Sequence, residues 1–112
     1  REAAARHGVA VSIAVVDDAG LLLSFGRMDG ARGYTVELAG RKARVAASVG
    51  VSTSVITEMS RQSPGPASEA AVGAGGVPIL HRQICVGAIG VSGARPEIDD
   101  AIATAGAAAW AS

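Results

Sequence analysis

Cysteine is nearly absent: Cys85 is the single copy among 112 residues. An intrachain disulfide and a cysteine-based zinc cluster are therefore excluded. A reducing cytoplasm fits a lone thiol, and export also remains compatible with it. Aromatics are almost as scarce, with one each of Phe25, Tyr34 and Trp110. The interior must then be filled by Val, Ile, Leu and Ala, so a subunit interface would add useful burial. Charge of one sign is missing too: ten basic residues balance ten acidic ones. Such a chain has no excess of cations to displace counterions from a phosphate backbone, which argues against nucleic-acid binding. No apolar run approaches the roughly 20 residues that span a bilayer.

Against these absences stands a 49% share of hydrophobic residues with only 18% charged. That excludes a disordered chain, and the length matches one domain over residues 1–112. The most heavily marked stretch is GGVPILHRQICVGAIGVSG, residues 75–93. Gly75 and Gly76 permit positive φ and close approach by a ligand or another segment. Residues 77–80 and 84–91 are two apolar runs parted by His81, Arg82 and Gln83, which reads as an antiparallel hairpin. Its turn is awkward, because two-residue hairpin turns favour φ > 0 and neither Arg nor Gln readily supplies it.

Residues 1–6 read as the end of a helix that starts upstream, closed by Gly8. Residues 9–17 alternate as a strand, and Asp17-Asp18-Ala19-Gly20 is turn chemistry leading to a partner strand over 21–28. The main helix is predicted over 34–49, with Tyr34, Leu38, Val45, Ala46 and Val49 on one stripe. Lys42 falls inside that stripe and Arg41 at its margin. A short helix follows over 54–61, ended by Ser63-Pro64-Gly65-Pro66. Residues 67–74 read as a loop or a weak edge strand. A last helix begins at Pro96 and is expected to bury Ile98, Ile102, Ala105 and Ala109, while Glu97, Asp99 and Asp100 complement its positive end. This order is α+β, with an antiparallel sheet whose small-residue faces are covered by helices.

The blocks VSIAVVDDAGLLLSFGRMDGA, ELAGRKARVAA, GGVPI and VGAIGVSGA together resemble the GlcG/HbpS family, which also supplies the C-terminal domain of PduO-type proteins. The resemblance covers nearly the whole chain and implies a profilin- or PAS-like antiparallel sheet of about five strands flanked by helices. It further implies a haem-binding or haem-degrading domain that assembles as a dimer up to an octamer. Two departures stand out. The first helix here is shorter, and Arg82-Gln83 replaces the Asp-Gly turn frequent in relatives.

Haem needs an apolar slot, an axial ligand and cations for its propionates. His7, His81, Met28, Met59, Tyr34 and Cys85 are the candidate ligands, with His81 favoured by chemistry. His81 also reads as an ordinary exposed turn residue. With no Cys-x-x-Cys-His motif, haem would be held non-covalently. Lys42, Arg41, Gly75, Gly76 and His81 are the candidate ligand-binding residues. Alternatively Lys42 binds or polarises a small carboxylated or carbonyl substrate, and Asp29 or His81 moves protons, which would make the chain an enzyme. Lys42 could equally lay its stem along the apolar stripe and reach water.

Overall fold

The computed structural model describes residue 4, residues 8–62 and residues 71–111. His7, the breaker at 63–66, residues 67–70 and most of the first helix lie outside them. Four strands form one antiparallel sheet in the order β2-β1-β4-β3: β1 (Ser12–Asp17), β2 (Leu22–Arg27), β3 (Gly76–His81) and β4 (Ile84–Ser92). Three helices accompany them: α1 (Tyr34–Val49), α2 (Thr53–Gln62) and α3 (Pro96–Ala111). The α+β expectation holds. The described residues contain four strands where about five were expected, residues 71–74 being irregular.

The two hairpins form locally, and the pairing of β1 with β4 joins them across the middle of the chain. Asp17 anchors the first turn, its Oδ1 accepting 2.9 Å hydrogen bonds from the backbone N–H groups of Ala19 and Leu21. Strand alternation then sorts the two faces. Ala14, Val16 and Ala88 meet Ala39, Ala43, Ala46 and Ala47 of α1. On the opposite face Val11, Val15, Val77, Ile79, Ile89 and Val91 pack against Ile102, Ala103 and Ala107 of α3.

Both helices are rotated from the expected stripes. α1 buries Thr35, Ala39, Lys42, Ala43, Ala46 and Ala47, leaving Tyr34 and Val49 exposed. Only alanines let the helix axis come close to a sheet face of Ala and Gly, so small residues win over large ones. In α3 the buried set is Asp99, Ile102, Ala103 and Ala107, and the expected Ala105 and Ala109 are exposed. The spacing is helical in both cases. An alanine-rich helix marks no unique stripe, and the observed rotation brings the Asp99 carboxylate inward to Lys42 and the Ala94 N–H.

The β3–β4 turn is a tight one, with Arg82 at φ 52 and Gln83 at φ 68. Left-handed backbone costs a non-glycine residue about 1–2 kcal/mol. Replacing the pair by Asn-Gly is expected to raise stability by about 1 kcal/mol, read as a higher urea midpoint at unchanged slope. A lower midpoint would show that Arg82 or Gln83 makes contacts that outweigh the strain.

Candidate functional site

Lys42 lies at the junction of the three layers. Its backbone runs over Gly76 of β3, where an added Cβ would come within 2.4 Å of the Lys42 carbonyl oxygen. Its side chain passes Gly75 at the sheet end, and Nζ donates to the Val91 carbonyl at 2.9 Å and to Asp99 Oδ2 at 3.1 Å. The pair is buried, Lys42 at 4% exposure and Asp99 at 2%. Gly75 is required by both space and backbone. Its φ is +126, and a Cβ there would stand 2.5 Å from the Val91 oxygen and 3.0 Å from Lys42 Nζ. Thr53 at the start of α2 completes the junction, its Oγ1 accepting the Gly76 N–H at 2.9 Å. The paired glycines thus admit a lysine and a helix to the sheet.

Asp99 also accepts the Ala94 N–H on Oδ1 at 2.9 Å. Burial pushes its carboxyl above the ordinary value; the Ala94 N–H and the Lys42 ammonium pull the other way without cancelling that effect. Reading the sequence assigned Asp99 only to the helix dipole. Nothing links it to Lys42, since 57 positions separate the two.

The other candidates are dispersed. His81 is exposed at the far end of β3, five residues or roughly 16 Å from Gly76 at strand rise. Ile84 is its cross-strand partner. Leu80, Ile84 and Val86 near it are exposed as well. Asp29 is exposed beyond the end of β2, on the opposite edge of the sheet from β3. Arg41 is exposed on α1 and lines a shallow depression with Tyr34, Glu37 and Leu38. Met59 is exposed, and Met28 packs against the core. Cys85 is half-buried, with Sγ 3.2 Å from the Gly87 oxygen. No cluster of three His, Cys, Asp or Glu able to hold a metal occurs among the described residues.

An open groove of about 370 Å³ lies between β2 and α1. Leu22, Phe25 and Val36 supply apolar walls, and Glu37 and Arg44 supply charge. The Arg44 stem lies over Gly20, and its guanidinium sits close to Gly40. The residues of this groove were not singled out beforehand, although the run Leu21-Leu22-Leu23 was the available signal, being apolar at both strand parities.

With this geometry in place, comparison with known proteins becomes informative. The family model "Haem degrading protein HbpS-like" matches residues 1–108. The chain belongs to this HbpS-like family. Among solved structures, HbpS is similar at 39% identity and a TM-score of 0.88, over 96% of this chain and 79% of that one. The PduOC:haem complex is similar at 28% identity and a TM-score of 0.87, covering 96% of this chain and 83% of that one. Klebsiella pneumoniae ORFY matches at 27% identity and a TM-score of 0.89, over 99% and 81%. Among curated proteins none matches the sequence. No helix among the described residues of this HbpS-like chain is long and apolar enough to cross a membrane.

Proposed function

We propose that this HbpS-like chain binds haem, or a related tetrapyrrole, non-covalently as a subunit of a homo-oligomer. The carrying observation is the family match over residues 1–108, joined to the likeness to a solved haem complex. The donor set fits the group. Among the described residues His81 offers the imidazole, Leu80, Ile84 and Val86 offer exposed apolar surface nearby, and Arg82 offers a cation for a propionate. Bound haem would supply a redox-active iron, and the strained tip would hold His81 at the end of the hairpin. In this reading Lys42, Gly75 and Gly76 act at one remove: they set how closely α1 packs against the sheet.

The enzyme alternative has less support. The Lys42 ammonium already meets Val91 and Asp99. Asp29 and His81 lie near opposite edges of the sheet, so neither joins Lys42 in one catalytic group.

Haemin titration tests the proposal. We expect saturable binding of one haem per subunit with a shifted Soret band, and at least tenfold weaker binding by His81→Ala. Slow, unsaturable binding removes the haem proposal. Unchanged affinity and spectrum in His81→Ala would move the ligand elsewhere, with Arg41 and Arg44 on α1 as the next variants.

A further inference from the structure

The groove between β2 and α1 is shaped by an irregularity in the strand. Leu22 and Phe25 are three positions apart, so strict alternation would put them on opposite faces of the sheet. Ser24 pairs with Val15 and Leu22 with Val16, which leaves Leu23 as the extra residue of a bulge. The bulge resets the parity. Leu22 now shares the face of Val16, and Phe25 that of Ala14, which is the face α1 covers. Buried Ala14 and Val16 make a flat floor, and Val36 adds an apolar wall from the helix. The space, about 370 Å³, falls in the range of small-molecule sites.

α1 lends this groove two charges of opposite sign. Glu37 and Arg44 are seven residues apart, two turns or roughly 10 Å along the axis. The Arg44 side chain lies between two glycines: a Cβ on Gly20 would stand 3.7 Å from its Cγ, and one on Gly40 3.0 Å from Nη1. Gly40 is interior to α1, where glycine is a weaker helix former than alanine and calls for a reason. The reason here is space, since the missing side chain lets the guanidinium lie down at the groove. Among the described residues no carboxylate pairs with Arg44 and no cation with Glu37.

We infer that this groove binds a small monocarboxylate with an apolar tail. The Arg44 fork takes the carboxylate through two parallel N–H···O bonds, a geometry that a guanidinium offers and an ammonium does not. The tail lies along α1 on the alanine and valine floor, flanked by Leu22, Phe25 and Val36. Glu37 at the far end repels a second carboxylate, so a diacid of equal length is rejected. The site is independent of the haem reading. His81 ends β3 at the opposite edge of the sheet, three strand spacings or roughly 14 Å from β2.

Titration of the unaltered chain with octanoate, followed by backbone amide NMR, tests this. Saturable binding is expected with a Kd on the order of 0.1–1 mM, the amides of Gly20, Leu22 and Gly40 shifting together. Arg44→Met should weaken it about tenfold, and Arg44→Lys should recover only part of the loss. Suberate, the diacid of equal length, should bind about tenfold more weakly than octanoate, and Glu37→Gln should narrow that gap. Gly40→Ala is a separate check. Its Cβ would displace only the flexible end of Arg44, so binding should weaken about threefold or more while the melting temperature holds or rises. Absence of saturation, shifts confined to other parts of the chain, or equal affinity in folded Arg44→Met overturns the inference. Equal binding of suberate and octanoate does so too. Displacement of octanoate by haemin would make the groove part of the haem site and overturn it as a separate one. A chain that binds no haemin leaves the octanoate titration untouched, so the two proposals fail separately.

Discussion

Replacing Lys42 by methionine is expected to destabilise the fold by about 3–5 kcal/mol at neutral pH, the usual result of stripping one member from a buried ion pair. Methionine retains most of the stem, so little of the loss comes from packing. What is left is the Asp99 carboxylate, buried and hydrogen-bonded to Ala94 but with no cation beside it. The companion substitution Asp99→Asn removes that charge, and Lys42→Met with Asp99→Asn should recover most of the loss, giving a coupling energy above about 2 kcal/mol. The pH dependence has a definite sign. Asp99 in the folded protein titrates above its ordinary value of 3.8 because burial disfavours its charged form. Its contribution is therefore complete below the unfolded value and is lost as pH rises through the folded one. Removing the ammonium raises the folded value further, so the deficit of Lys42→Met should be full at pH 7 and shrink towards pH 4. Urea unfolding across that range measures it. A loss below about 1 kcal/mol that does not vary with pH would place the ammonium in solvent and refute the buried pair.

Gly90→Ala should be at least as damaging. A Cβ on Gly90 would stand 1.9 Å from the Ala39 carbonyl oxygen and 2.6 Å from the Ala43 nitrogen, both backbone atoms of α1. No rotamer change relieves a clash with backbone. The helix must lift, opening the alanine layer along its whole length, and a loss of about 3 kcal/mol or more follows. Gly33→Ala is the control. Nothing lies within 4 Å of its would-be Cβ, and Gly33 already has right-handed backbone at φ −57. A change within about 0.5 kcal/mol is expected there. Equal tolerance at both positions in thermal melts would mean that α1 does not pack on β4 as closely as described.

Much of the fold was legible in advance. Large-and-small alternation over residues 9–15, turn chemistry at Asp17 to Gly20 and proline at the start of the last helix are short-range signals, and each acts within a few residues. The helix at 34–49 coincides with α1 at both ends. What could not be read was which side of that helix faces inward. Its larger residues formed the more apolar stripe, yet Ala39, Ala43 and Ala46 are buried because Gly76 and Gly90 leave no standoff for anything bigger. The site was partly legible for the same reason. Lys42 was marked by its apolar surroundings and Gly75-Gly76 by the close approach that paired glycines permit, while their relation to Asp99 was invisible. The hairpin tip was legible only as a conflict: two side-chain-bearing residues occupying positive φ.

The amino-acid order by itself determined the alternating strands, the first hairpin turn, the limits of α1 and an aliphatic, nearly aromatic-free interior. These follow from local backbone preference and from periodicity, which require no knowledge of distant neighbours. Tertiary structure alone decided that Lys42 meets Asp99 across the sheet end, that α1 presents its alanine side, and that β2 is left uncovered at an edge. Each depends on strand order and close approach between residues far apart in the chain, and no short-range preference encodes the distance at which two surfaces finally meet.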